Sequence, residues 1–244
     1  MVKAKAGIRL SDILVATIVV VLLLPFFLFP SVYEAYRTLN AEHGYLMAFV
    51  KFAFLATFGE CIGLRIRTGK YYHSGFGLIP RALVWGFLGI TIKIAFVIFG
   101  EGAPYALKTM GVVFPDPNPA YILRSPEFSG LKLLSAFAVG VTLNLFFAPV
   151  FMIFHRITDM HIIENHGTIR GFFTPIRVGY QISHLDWNSM WNFVLKKTVP
   201  FFWIPAQTLN FLLPEEWRVL VAAIYSIILG VLLSVASLME EKRV

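Results

Sequence analysis

The stretch Val199-Pro-Phe-Phe-Trp-Ile-Pro-Ala-Gln-Thr-Leu-Asn-Phe-Leu-Leu-Pro-Glu-Glu-Trp-Arg218 decides the fold. Sixteen uncharged residues, Thr198 to Leu213, lie between Lys197 and Glu215, the length of a short membrane helix or of a re-entrant segment. Within them stand Trp203, Pro205, Gln207 and Asn210, which a membrane-buried helix admits only when their polar groups find partners. On a helix, Trp203, Gln207 and Asn210 are spaced four and three apart and share one face, away from Leu209, Phe211 and Leu212. Pro205 has no N–H and its ring obstructs the carbonyl of Phe201, so a kink is expected at mid-span, with freed acceptors near Gln207.

The rest of the chain agrees with a membrane setting. Of its 244 residues 57% are hydrophobic and 14% charged, far from the balance of a soluble domain. The 24 Phe, 9 Tyr and 5 Trp suffice for helix interfaces and for aromatic belts at both membrane surfaces. A net charge of +7 does not point to nucleic acid, because the basic residues flank apolar runs instead of forming one patch. Cys61 is the single cysteine, so there is no disulfide framework from which to read a compartment.

Six spans are expected in one domain, residues 1–244: an all-α, polytopic membrane helical bundle. Ile13 to Phe29 is too long for a signal-peptide core and has no small-x-small cleavage site, so it reads as a retained helix. Residues 1–44 are accordingly an added N-terminal helix and loop, and 45–240 the bundle. Tyr45 to Leu64 carries a Gly59/Gly63 packing face, and Pro80 to Phe99 has notches at Gly86 and Gly89. The proline-rich stretch 100–130 reads as an ordered loop or lid, and Leu131 to Phe154 as the fourth span. The polar segment His155 to Asn192 includes a helix capped by Asp186, whose apolar residues Trp187, Met190, Trp191 and Val194 suit an interfacial amphipathic helix. The opening stretch is the fifth span. Val219 to Leu238, with Ser226, Gly230 and Ser234 as a small-residue stripe, is the sixth. Six crossings place Lys3, Lys5, Arg9, Arg65, Arg67, Lys70, Arg81, Arg156, Arg170, Arg177, Lys196, Lys197, Lys242 and Arg243 on one side, and leave Arg37, Lys108, Arg124, Lys132 and Arg218 on the other, a bias that fits the positive-inside rule.

Taken together, Trp203, Pro205, Gln207, Asn210, Phe211, Pro214 and Arg218 resemble the W-x-P-x-Q-x-x-N-F-x-x-P-x-x-x-R pattern of the Mpv-seventeen/peroxisomal-membrane-protein-twenty-two family. Phe147-Ala148-Pro149 and Gly59-Glu60 resemble two shorter motifs of the same family, F-A-P and G-D. The third span departs from it, with Ile90-Thr91-Ile92-Lys93 and Phe96-Val97 where the family carries G-P and W-Y. The resemblance implies a small integral membrane protein of mitochondria or peroxisomes, the mitochondrial inner membrane first, that acts as a channel or in membrane homeostasis. It implies neither catalysis nor a cofactor. The alternative is a non-transporting accessory subunit of a larger membrane complex, and the expected partners are membrane lipids with a homo-oligomer or such a complex.

The residues that would line a pore are Lys51, Glu60, Lys93, Asn144, Gln207 and Asn210. Counted along their helices, Lys51 lies about 21 Å and Lys93 about 18 Å from the basic boundary, near the levels of Gln207 and Asn210. Charges at that depth favour a hydrated, inward orientation, so the two lysines are expected to select small anions. His155, His161, His166, His184, Asp159 and Glu164 are irregularly spaced and read as interfacial groups, with no metal expected. No paired carboxylates, H-E-x-x-H or G-x-S-x-G context points to an enzyme.

Overall fold

The computed structural model describes residues 9–241, with side chains as far as residue 235. Lys3, Lys5, Lys242 and Arg243, and with them the expected placement of both termini, lie outside the described residues. Among the described residues there is no strand, and the chain is an all-α helical membrane bundle. The described residues form nine helices, in order α1 Leu10–Leu28, α2 Pro30–Glu42, α3 Gly44–Thr68, α4 Leu78–Thr109, α5 Gly130–Glu164, the short α6 Ile169–Phe172 and α7 Val178–Ser183, α8 over residues 187–212, and α9 Glu215–Glu241. A single 3-10 turn, Pro119–Leu123, sits in the proline-rich loop.

Helices α1, α3, α4, α5 and α9 are long and apolar enough to cross a membrane. The expected fifth span is continuously helical as part of α8, but Lys196, Lys197, Gln207 and Asn210 keep it out of that apolar set. Asp186 does cap α8, accepting from Ser189 N at 3.0 Å, and the Ser189 hydroxyl and N–H hold its carboxyl below the usual range. The helix it starts does not end at the interface, however, but runs straight on into the bundle.

Three other boundaries move. Residues 30–42, read as loop, form α2, which Pro30 opens at a position where a helix has no use for the missing N–H. α4 continues through Pro104 to Thr109, ten residues past Phe99. α5 continues to Glu164, ten residues past the expected end at Phe154, so His155, Asp159 and His161 of the polar segment belong to the same helix. At the end of α3, Gly69 adopts φ 79°, a left-handed cap that its N–H closes onto Arg65 O.

Two segments are wound as π-helix, Leu143–Phe147 in α5 and Met190–Trp203 in α8. Each is followed after one residue by proline, Ala148-Pro149 and Ile204-Pro205, so the wide turns accommodate rings that would strike the carbonyls of Leu145 and Phe201. The expected kink at Pro205 is thus a graded widening ahead of the proline.

Small residues set the helix contacts. A Cβ on Gly59 would lie 3.1 Å from Ile227 Cα, and one on Gly63 would lie 2.9 Å from Ser234 Oγ, so the two stripes read from the sequence pack against each other. Gly140 faces Thr208 and Ile204 in the same manner, joining α5 to α8. On α4, a Cβ at Gly89 would meet the Ala48 carbonyl at 2.5 Å. Backbone cannot rotate away, so Gly89→Ala is expected to prise α3 from α4 at a cost of about 1–3 kcal/mol. Thermal unfolding in detergent checks this against Gly102→Ala in the same helix, where nothing lies within 4 Å and no loss is expected.

The bundle has two unlike ends. At the basic end α3 stops, α4 starts, α5 stops and α8 starts; at the other, the proline-rich loop meets the α8–α9 turn. α1 contains no buried residue. It is held at the basic end, where Asp12 accepts from Arg65 Nε at 2.8 Å and from the Tyr71 hydroxyl at 3.0 Å, and Arg9 donates to Gly69 O at 2.7 Å. Burial and the Asp12 carboxylate push the Tyr71 phenol up, which keeps it a donor.

Candidate functional site

A cavity of about 500 Å³ lies inside the bundle between α3, α4, α5, α8 and α9. Its mouth is at the basic end, among exposed Arg67, Arg156 and Ile163. Its floor lies near mid-bundle at Phe52, Ile92, Phe96, Leu143 and Ala222, about 22 Å from Arg67 along α3. Phe52 and Phe96 belong to the same buried cluster as Ala48, Ala95 and Phe211, which closes the way onward. Both π-helical segments border the cavity, through Leu143, Asn144 and Phe147 and through Trp203. Asn144 donates to Gly140 O at 2.8 Å and approaches Trp203 O at 3.5 Å, linking one widened helix to the other.

Between mouth and floor the walls carry four ionisable groups from three helices. Arg81 Nη1 on α4 donates to Glu60 Oε2 of α3 at 2.6 Å and to Asp159 Oδ1 of α5 at 2.7 Å, and its Nε donates to Phe76 O at 2.8 Å. Trp85 Nε1 donates to Glu60 Oε1 at 2.7 Å. His155 Nε2 is 3.5 Å from that same oxygen, and its ring packs on Trp85 at 4.4 Å between centroids. One guanidinium thus serves two carboxylates in a bundle where unpaired charge is costly. The donors of Glu60, His155 and Asp159 lie within 4.8 Å of one another, as metal ligands would. Arg81, already bonded to both carboxylates, fills that position, and the chemistry of the set is an ionic belt and not a cation site.

The sequence-derived pore residues divide. Glu60, Asn144 and Gln207 line the cavity, as does Trp203 of the motif. Lys51, Lys93 and Asn210 do not; Lys93 instead lines a second cavity of about 520 Å³, together with Tyr36, Asn40 and Glu215. Lys51 Nζ donates to Asn40 Oδ1 and sits 5.0 Å over the Tyr36 ring, both on α2. Lys93 pairs with Glu215 at 3.6 Å at the start of α9. The depth counted along α3 and α4 was adequate, but α2 and the first turn of α9 offer these ammonium groups partners on the side away from the first cavity.

The remaining motif residues form a tie at the opposite end. Fully buried Asn210 donates to Gln207 Oε1 at 3.0 Å and to Arg218 O at 3.1 Å. Arg218 donates through Nε to Leu213 O at 3.1 Å and through Nη2 to Leu123 O at 2.9 Å, with its guanidinium 4.8 Å over Phe211. Phe211 in turn meets Phe96 edge-on at 5.2 Å. Pro214 turns the chain between the helices, with Leu213 extended as residues before proline are. Arg218 therefore fastens the α8–α9 turn to the 3-10 turn of the proline-rich loop.

Arg81, His155 and Asp159 are the site residues that the sequence did not bring together. The spacing of His155 and Asp159, four apart, is a helical signal, but it lies just past the expected Leu131 to Phe154 span, in a segment whose histidines read as interfacial. His161 and Glu164 are structural, bonded to Phe172 O at 3.1 Å and to Gln181 Nε2 at 3.1 Å. His184 stacks on Tyr180. Fold and site together define an integral membrane helical bundle with a cavity that reaches from the basic end to mid-bundle. No family model, curated protein or solved structure matches the chain.

Proposed function

We propose that the protein is a channel or pore-like protein of an organelle membrane, in a closed state, that takes small solutes, anions among them, into the cavity from the basic end. The observation that carries this reading is the cavity itself: it reaches from the basic end to mid-bundle, and its walls carry an ionic belt from three helices, as charged groups inside membrane bundles do along solute pathways. The motif shared with the Mpv-seventeen/peroxisomal-membrane-protein-twenty-two family favours the mitochondrial inner membrane or the peroxisomal membrane. Solute flux into proteoliposomes tests it. Ser226→Phe, which would fill the cavity from α9, is expected to reduce flux at least ten-fold with folded yield preserved; flux that is absent in the wild type or untouched by the substitution overturns the reading.

The second reading, an accessory subunit of a larger assembly, is favoured by α1, a 19-residue apolar helix without a buried residue. Recovery in mild detergent as a stoichiometric member of a complex, with release on deletion of residues 1–29, would support it.

A further inference from the structure

Charge and apolar surface are sorted along the cavity. The mouth presents Arg67 from α3 and Arg156 from α5; Arg67 donates to the Ser234 hydroxyl at 3.0 Å, and Arg156 adds to the Ser189 hydrogen bonds in holding the Asp186 carboxyl below its usual range. Beneath them the belt is internally bonded through Arg81 and leaves no cation free for a ligand. Below the belt the walls are aromatic and aliphatic, Phe52, Phe96, Leu143, Phe147 and Phe151, relieved by the amides of Asn144 and Gln207.

A fully hydrated anion suits the mouth alone, since deeper it would shed water against hydrocarbon. An uncharged apolar molecule suits the floor and makes no use of the arginines. We propose that the cavity binds a single-chain anionic amphiphile, its carboxylate or phosphate head between Arg67 and Arg156 and its alkyl chain lying past the ionic belt toward Phe52 and Phe96. This rests on the reading that the cavity takes solutes from the basic end, and it names their class. Volume agrees, about 500 Å³ falling in the range of sites that enclose ligands. Each further methylene is expected to tighten binding by about four-fold until the chain reaches the floor, the fold-change that corresponds to ~0.8 kcal/mol.

The test is photolabelling of the full chain in phosphatidylcholine nanodiscs with a diazirine-bearing dodecanoate, mapped by mass spectrometry. Label is expected on cavity residues of α5 and α9 and should disappear in Ser226→Phe. Unlabelled dodecanoate or dodecyl phosphate should compete at least ten-fold better than dodecanol, the better of the two naming the head group. In Arg67→Gln/Arg156→Gln that advantage should vanish while competition by dodecanol stays unchanged; both residues are exposed, so the fold is not at stake. Label scattered over the lipid-facing surface, equal competition by the alcohol in the wild type, or an anion advantage that survives in the double variant overturns the proposal. Labelling without solute flux keeps this inference and removes the channel, and flux without labelling does the reverse.

Discussion

Arg81→Ala is expected to lower stability by about 3 kcal/mol, because it leaves the half-buried carboxylates Glu60 and Asp159 facing each other without their shared partner. The belt joins α3, α4 and α5, so the loss should appear as a lower unfolding temperature and a smaller monodisperse fraction after detergent extraction. The decisive comparison is Glu60→Gln/Asp159→Asn made in the Arg81→Ala background. Removing both negative charges should recover a large part of the loss, although Trp85 Nε1 then donates to an amide oxygen in place of a carboxylate. If the triple variant is no more stable than Arg81→Ala, electrostatics is not what Arg81 contributes and its packing over Phe76 is.

The second large effect is expected from Arg218→Leu. Two carbonyls, Leu123 O and Leu213 O, lose their donor inside the protein, and at about 1–3 kcal/mol each the total is about 2–6 kcal/mol. Arg218→Lys should recover only part of it, since one ammonium lacks the fork that reaches both acceptors. The loss should be accompanied by proteolytic opening of the proline-rich loop, whose 3-10 turn is tied down through Leu123. Asn210→Leu acts on the same tie, so its effect and that of Arg218→Leu should fall short of additive in a double-mutant cycle. Additive losses would mean that the two residues stabilise separate features.

Much of the scaffold was legible because its signals are local. Gly86 and Gly89, the Gly59/Gly63 face and the Ser226-Gly230-Ser234 stripe announce close helix approach, and Asp186 announces a helix start. Helix ends were harder to read. Pro104 suggests a stop, yet α4 passes through it, and His155, Asp159 and His161 lie past the expected end of the fourth span, yet polar residues on a helix that emerges from a membrane are what the basic end requires. The ionic belt was out of reach for a different reason. Glu60, Arg81 and Asp159 are far apart in the chain, and only the packing of three helices shows that one guanidinium serves two acids. Lys51 and Lys93 give the converse lesson: a count along a helix gives depth but not azimuth, and Lys51 meets its partners on α2, a helix that the sequence did not reveal, while Lys93 meets Glu215 in the first turn of α9.

The composition of α8 bears on how the chain is made. A segment that carries Lys196, Lys197, Gln207 and Asn210 has little tendency to leave the translocation machinery for lipid on its own. What rewards its transfer comes from neighbours: Gly140 of α5 gives it a close surface, and the Arg218 carbonyl of α9 accepts the Asn210 amide. α8 is therefore expected to enter the bilayer together with α9, as a hairpin held by the Asn210–Arg218 bond. α9 is therefore expected to determine whether α8 crosses the membrane.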